Sequence, residues 1–165
     1  MPMTISTDGL EEVARILNKL GNKAEDVASG SLFKGAGVVG DAFTAAIAGI
    51  RTEPFHYIAN PELAGKKRYP SPEEKAALTG KSGIAHFHKN GSEVDTLIGV
   101  NPNAGYANVA GKSKAVAVIA RSINSGTSFM IKQPIFRKAV SQSQGKAKAA
   151  VTERAEEMLN EIING

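Results

Sequence analysis

Apolar residues recur at helical spacing near both ends of the chain and alternate in strand-like fashion between them. The pattern predicts a helix over residues 9–20, opened by a cap at Asp8 and stopped at Gly21-Asn22, then a second over 24–50. A final helix is predicted over 144–163. The apolar positions that define the three helices are Leu10, Val13, Leu17, Leu20, Ala28, Leu32, Val39, Phe43, Ala46, Ile50, Ala147, Ala150, Val151, Ala155, Met158, Leu159 and Ile162.

The second predicted helix is unusual in its glycines, Gly30, Gly35, Gly37 and Gly40. Each lowers intrinsic helix stability by ~1 kcal/mol relative to alanine. Two interpretations remain: another helix or subunit approaches closely at these small residues, or the helix is locally weak.

Residues 51–80 form an irregular, proline-rich excursion that interrupts the regular elements. Within it, Ser71-Pro72-Glu73-Glu74 has the features of a helix start: a hydroxyl cap, proline in the first turn and two acids. We expect one or two turns through Leu78, ending at Thr79-Gly80.

The middle of the chain carries the clearest strand signals. Gly83–His88 and Val94–Val100 flank Asn90-Gly91, which favours a tight hairpin turn. The apolar run Ala115–Ile123 predicts a third, central strand. We therefore expect an α+β domain over 1–165: an antiparallel sheet of three or four strands packed with two N-terminal helices and a C-terminal helix.

Composition narrows the classes of function. The 165 residues include no Cys, which removes disulfides and thiolate metal sites, and no apolar run is long enough to span a membrane. The start, Met1–Ile5, is not typical of a signal peptide. Net charge is +4, and the only tight basic run is Lys66-Lys67-Arg68, which is either a solvated loop or a contact for phosphate or a partner.

Candidate catalytic chemistry is weak. His86 and His88 share a strand face with Asp95 across the hairpin, and His56 is available, but no third metal ligand is fixed by the pattern. Two Gly-Lys-Ser triplets, at 80–82 and 111–113, lack the spacing of a phosphate-binding loop. We expect no enzyme activity, no cofactor and no resident metal.

The segment from Arg121 to Ala139 is the most informative. It is predicted to break at Asn124–Thr127 and to restart at Pro134 as an amphipathic helix. The predicted order here is a strand, Gly126-Thr127, a short loop and Pro-Ile-Phe-Arg, with the hairpin and Gly105-Tyr-Ala107 before it. This order resembles the tail-completion or head–tail joining (neck) proteins of long-tailed bacteriophages. Where those proteins often have an acidic-aromatic pair before Gly-Thr, this chain has Asn124-Ser125.

The resemblance implies a structural virion protein, made in the host cytoplasm, that completes the tail end or neck by assembling as a homo-oligomeric ring. Its partners would be other neck, connector and tail proteins, with non-specific contact to passing DNA and no membrane. The candidate contacts are Lys66, Lys67, Arg68, Gly126, Thr127, Lys132, Phe136 and Arg137. Gly126-Thr127 would permit a sharp turn, and Phe136 would anchor the closing helix against the sheet.

Three alternatives stay open. One is a tail-terminator or minor tail protein within the same class. Another is a small basic nucleic-acid-binding module that uses Lys66-Lys67-Arg68, Lys146 and Lys148. The last is a metal-dependent hydrolase built on His86 and His88.

Overall fold

The protein is described from a computed structural model, over residues 8–54, 65–86, 88–90, 93–107 and 113–165. Helices and strands are mixed, with helix predominant. The helices are α1 (Asp8–Ala48), α2 (Pro72–Gly80), α3 (Val116–Ser125) and α4 (Ile135–Asn164). The strands are β1 (Ser82–Ile84), β2 (His88–Asn90), β3 (Glu93–Asp95), β4 (Ile98–Val100), β5 (Gly105–Ala107) and β6 (Ser113–Ala115).

One helix of 41 residues replaces the two predicted N-terminal helices. The predicted stop at Gly21-Asn22 was wrong because α1 continues through it. A glycine inside a helix costs ~1 kcal/mol, whereas a break would leave four donors and four acceptors without helical partners at the new ends. Interrupting the helix would therefore cost more than keeping the glycine.

Helix α4 is also longer than the final helix predicted from apolar spacing. It begins at Ile135, directly after Pro134, and runs for 30 residues. The predicted restart at Pro134 is confirmed, and residues 144–163 are the continuation of that same helix.

Helices α1 and α4 pack side by side and antiparallel, and two glycines of α1 permit their close approach. A Cβ on Gly30 would lie 2.9 Å from Met158 Sδ. A Cβ on Gly35 would collide with Val151 and lie 3.2 Å from the Ala147 carbonyl oxygen. The close-approach interpretation of the glycines is thus confirmed at Gly30 and Gly35, but nothing lies within 4 Å of a Cβ at Gly37.

The hydrophobic core lies where the end of α1 meets α2, α3 and the start of α4. It is built from Phe43, Ile47, Ile50, Leu78, Val116, Ile119, Ala120, Ile123, Met130, Ile135 and Ala139. Phe136 joins its edge by stacking on Phe43, with ring centroids 4.9 Å apart and planes at 18°. Phe136 therefore anchors α4 against helix α1, and the expected contact with a sheet is not confirmed.

Helix α2 confirms the local prediction of a helix start. Ser71 is its N-cap, and the Ser71 hydroxyl accepts a 3.2 Å hydrogen bond from the Glu74 N–H. The Glu74 carboxylate accepts in turn from the Ser71 N–H at 2.8 Å. Such a reciprocal arrangement satisfies two donors that a helix start otherwise leaves unpaired.

The strands form three separate two-stranded antiparallel ribbons in the described residues, so a sheet of three or four strands is not confirmed. β2 pairs with β3, with His88 opposite Asp95 and Asn90 opposite Glu93, and β1 pairs with β4 farther along the same hairpin. The hairpin prediction is confirmed in these pairs. Three parts of the predicted elements lie outside the described residues: residue 91 of the turn, Phe87 of the first predicted strand, and residues 55–64 of the irregular excursion.

The predicted third strand, Ala115–Ile123, was wrong because all but its first residue lies in helix α3. β6 ends at Ala115 and pairs with β5, and the helix starts at the next residue. A short apolar run is compatible with either a strand or a buried helix. The buried residues Val116, Ile119, Ala120 and Ile123 have helical spacing and face the core, which favours the helix.

Candidate functional site

The loop between α3 and α4 turns sharply at Gly126-Thr127, as the sequence predicted. Gly126 has φ 74° and ψ 163°, a conformation that is essentially restricted to glycine, and its N–H donates to the Ser122 carbonyl at 2.9 Å. Thr127 closes the turn: its N–H donates to the Met130 carbonyl at 3.1 Å, and its hydroxyl accepts from the Met130 N–H at 3.0 Å.

The segment 65–70 is attached to this loop by backbone hydrogen bonds. The Arg68 N–H donates to the Phe129 carbonyl, and the Ile131 N–H donates to the Arg68 carbonyl, both at 2.9 Å. Lys66 and Lys67 precede this contact and are exposed. The structure therefore brings the basic run close to the loop that carries Lys132, although the two are far apart in sequence.

The Arg68 side chain points into the protein and pairs with Glu74. Two hydrogen bonds of 2.9 Å join the guanidinium to the two carboxylate oxygens, and the side chains are only 9% and 8% exposed. Burial by itself would raise the pKa of Glu74, but hydrogen bonds from Arg68 and from the Ser71 N–H outweigh it, so the pKa is lowered. Arg68 thus secures the segment, while Lys66 and Lys67 are the members of the run that face solvent.

A basic pocket lies beside the loop, between the end of α1 and the start of α4. We call it the cationic pocket; its volume is about 300 Å³. Its basic residues are Arg51, Lys132 and Lys138, all exposed, and none of the described residues that line it is acidic. Of these cations, sequence analysis had singled out only Lys132. Arg51 and Lys138 carry no local signal, because only tertiary packing brings the two helix ends together.

The neighbouring candidates lie around this pocket without lining it. Arg137 is exposed on the first turn of α4. Phe136 is half-buried, and its N–H donates to the Asn124 side-chain oxygen at 3.1 Å. That bond links the start of α4 to the end of α3 and fixes the direction in which α4 leaves the loop.

A second, apolar cavity opens between α1, α4 and the hairpin. This apolar groove has a volume of about 510 Å³ and is lined by Leu32, Gly35, Ala36, Val39, Thr96, Ile98, Val140, Ser143, Gln144, Ala147, Lys148, Val151 and Thr152. Val140 remains 53% exposed. The groove therefore presents apolar side chains to solvent along the middle of the helix pair.

The histidines do not gather a metal site in the described residues. His86 and His88 are exposed, and only Asp95 pairs with His88 across the strands. No group of three His, Cys, Asp or Glu residues in the described part of the chain could hold a metal ion, and His56 lies outside it. No helix among these residues is both long and apolar enough to cross a membrane.

Comparison of the chain with protein families, with curated proteins and with solved structures found no match.

Proposed function

We propose that this chain is a structural component of a bacteriophage virion that completes the tail end or neck and joins tail to head by assembling as a ring. The sequence resemblance suggests the role. The structural observation that carries the proposal is the open apolar groove between α1, α4 and the hairpin. The protein would be made in the host cytoplasm and reside in the virion.

The groove supports an assembly role because contiguous apolar surface is costly to leave in water. Apolar grooves with a few polar groups at the edge are common binding sites. Here Val140 at 53% exposure lies among other apolar lining residues, while Gln144, Lys148 and Thr152 supply polar groups. A neighbouring subunit that covers the groove would remove this apolar surface from water.

The charge distribution along α4 supports contact between copies of the chain. The first half of the helix carries Arg137, Lys138, Lys146 and Lys148 and no acid; the second carries Glu153, Glu156, Glu157 and Glu161 against Arg154. This order is the reverse of the one favoured by the helix dipole, so helix stability does not explain it. The basic half of one copy is complementary to the acidic half of another, and head-to-tail contacts of this kind generate a ring where the rotation between copies closes.

The loop between α3 and α4, together with segment 65–70 and the first turn of α4, is called the junction, and it would provide the contacts to other neck, connector and tail proteins. Lys66, Lys67, Lys132 and Arg137 are all exposed near the loop between α3 and α4. We propose them as contacts for neighbouring proteins or for the backbone of passing DNA, with Gly126-Thr127 and Phe136 fixing the geometry that presents them. Phosphate contacts of this kind are independent of DNA sequence.

The test is electron microscopy of lysates from a phage whose copy of this gene is interrupted. We expect DNA-filled heads beside unattached tails of normal length. Tails of abnormal length would support the tail-terminator alternative instead, and normal infectious particles would overturn the virion role.

Complementation with groove variants makes the test specific. Val140→Glu places a charge on the groove wall, whereas Ser141→Glu places the same charge at a neighbouring exposed position outside the lining. We expect Ser141→Glu to restore head–tail joining and Val140→Glu to fail while the purified protein keeps its helical circular dichroism. Equal rescue by both variants would contradict a role for the groove.

The second candidate function, a nucleic-acid-binding module, is favoured by the cationic pocket. It no longer depends on the Lys66–Arg68 run as a whole, because Arg68 is paired with Glu74 in the interior. Salt-dependent DNA affinity of a protein that never enters virions would favour this candidate.

A further inference from the structure

We propose that the cationic pocket is a binding site for a phosphate group. The pocket is separate from the apolar groove, since no residue is common to the two linings. The inference therefore does not depend on assembly, and it deepens the neck role when the phosphate belongs to DNA.

The positive charge of the pocket favours an anionic ligand. Arg51 lies after the end of α1, Lys132 lies in the loop and Lys138 lies in the first turns of α4, so three different segments each bring one cation to the same cavity. Like charges gathered in one place repel each other. None of the described lining residues is a carboxylate; the neighbouring Glu53 carboxylate is engaged by the Tyr69 N–H at 2.7 Å. An anionic ligand would offset the repulsion that remains.

Arg51 is held in place before any ligand binds. Its backbone is held from both directions by one side chain: the Arg51 N–H donates to Gln133 Oε1 at 2.9 Å, and Gln133 Nε2 donates to the Arg51 carbonyl at 3.1 Å. Its guanidinium carbon lies 5.1 Å from the centre of the Tyr69 ring. A guanidinium stacked on a ring can still use its edge donors, which suit bidentate contact with phosphate.

The position of Gln133 is fixed as well. The Gln133 N–H donates to the Ile123 carbonyl at the end of α3 at 2.7 Å, and the Gln133 carbonyl accepts from the Ile135 N–H at 2.8 Å. The clamp on Arg51 is thus built on two helices. Rigid placement of a cation reduces the entropy lost when a ligand binds.

The charge also favours phosphate over the carboxylate of a protein partner. A carboxylate carries one negative charge, whereas a terminal phosphate monoester carries roughly 1.5 to 2 at pH 7 and offers three acceptor oxygens. Three cations match the larger charge better. A phosphodiester of a nucleic-acid backbone carries only one charge, so a backbone would match the three cations through successive phosphates. Pro134 and Ile135 also place the start of α4 in the pocket wall, where the helix dipole adds to the attraction of an anion.

The phosphate could come from a free mononucleotide or from a nucleic-acid backbone, and the same protein can be tested against both. The probes are inorganic phosphate and adenosine monophosphate, measured by isothermal titration calorimetry, and a fluorescein-labelled 20-base-pair DNA duplex, measured by anisotropy over a series of salt concentrations. A carboxylate-rich peptide is the competing anion.

Three substitutions to glutamine test the pocket: Arg51→Gln, Lys132→Gln and Lys138→Gln. Lys34→Gln is the matched control, because it removes the same charge from an exposed position of α1 outside the lining. We expect each pocket variant to weaken phosphate binding about tenfold and the control to change it less than about twofold, by analogy with the loss of one charge-assisted contact. Lys132 and Lys138 have exposed side chains, so at least these two variants should fold normally.

The measurements with adenosine monophosphate and with the DNA duplex distinguish the two sources of the phosphate. If DNA is the source, each pocket variant should lower the slope of log affinity against log salt by about 1. If a mononucleotide is the source, adenosine monophosphate should bind and the duplex should show no dependence on the pocket. Equal losses in pocket and control variants, absence of binding to every phosphate probe, or preference for the carboxylate peptide would each overturn the proposal. Failure here leaves the head–tail phenotype of Val140→Glu unaffected, so the two proposals can fail independently.

Discussion

Removal of the Glu74 charge is the sharpest test of how the junction is held together. In Glu74→Gln, the side chain keeps its length, but the buried Arg68 guanidinium loses the carboxylate that it contacts through two hydrogen bonds of 2.9 Å. The same change weakens the cap at the start of α2, because the Ser71 N–H loses a charged acceptor. Segment 65–70 would then be secured mainly by its backbone bonds to the loop that bears Lys132.

The magnitude follows from the burial of the pair. Breaking a buried pair by neutralising one partner typically costs about 3–5 kcal/mol, because the remaining charge stays buried after its countercharge is gone. Arg68 keeps its 2.9 Å hydrogen bond to the Tyr69 carbonyl, which carries no countercharge. At 9% and 8% side-chain exposure, Arg68 and Glu74 fall in that class. For a chain of this size, 1 kcal/mol lowers Tm by roughly 2–4 °C, so Glu74→Gln should lower Tm on the order of 10 °C.

Two comparisons isolate the cause. Arg68→Met/Glu74→Leu removes both charges and should be more stable than Arg68→Met or Glu74→Leu alone, because neither buried charge remains. The wild type, these two single variants and the double variant form a double-mutant cycle. The exposed pair Arg154–Glu157 is the matched control: its atoms are equally close, at 2.8 Å, but its side chains are 37% and 53% exposed. Arg154→Ala should therefore cost less than about 1 kcal/mol.

The assays are thermal unfolding, which gives Tm, and urea unfolding, which gives the free energy of unfolding; both are followed by circular dichroism at several pH values. Because the folded-state pKa of Glu74 lies below its ordinary value of 4.5, its stabilising contribution is present above that pH and is lost as the pH falls through the folded-state pKa. Glu74→Gln should lack this part of the acid dependence. A coupling energy below about 1 kcal/mol in the double-mutant cycle, or equal costs for the buried and exposed pairs, would refute the reasoning.

The remaining predictions concern glycines with opposite surroundings. Gly35→Ala should destabilise the protein by about 1–3 kcal/mol because its Cβ collides with Val151, whereas Gly37→Ala, with nothing within 4 Å, should stabilise it by up to ~1 kcal/mol in the same urea assay. Gly126→Ala should cost about 1–3 kcal/mol because alanine disfavours φ 74°, while the exposed helical Gly145→Ala should be neutral or stabilising in thermal unfolding. Similar effects within either pair would contradict the described backbone geometry.

Local signals in the sequence determined several elements correctly. Ser71-Pro72-Glu73-Glu74 predicted the start of α2 because a cap depends on bonds between residues three positions apart. The hairpin between β2 and β3 and the glycine turn at Gly126 likewise depend on local backbone preferences. The start of α4 after Pro134 belongs to the same group.

Tertiary structure decided what local preference left open. The apolar run Ala115–Ile123 is compatible with a strand or a helix. The helix is favoured because it places Val116, Ile119 and Ile123 on one face, where all three pack in the same hydrophobic core. Helix α1 continues through Gly21 because a break would leave backbone groups unpaired.

The candidate sites depend on tertiary structure most of all. Sequence analysis selected Lys132 but not Arg51 or Lys138, and it treated Arg68 as part of an exposed run. Whether a basic side chain lines a cavity, faces solvent or pairs in the interior is decided by which helix ends meet. The end of α1 meets the start of α4 because their apolar faces are buried in a common core. The two faces are far apart in the chain, so no local stretch of sequence specifies the contact.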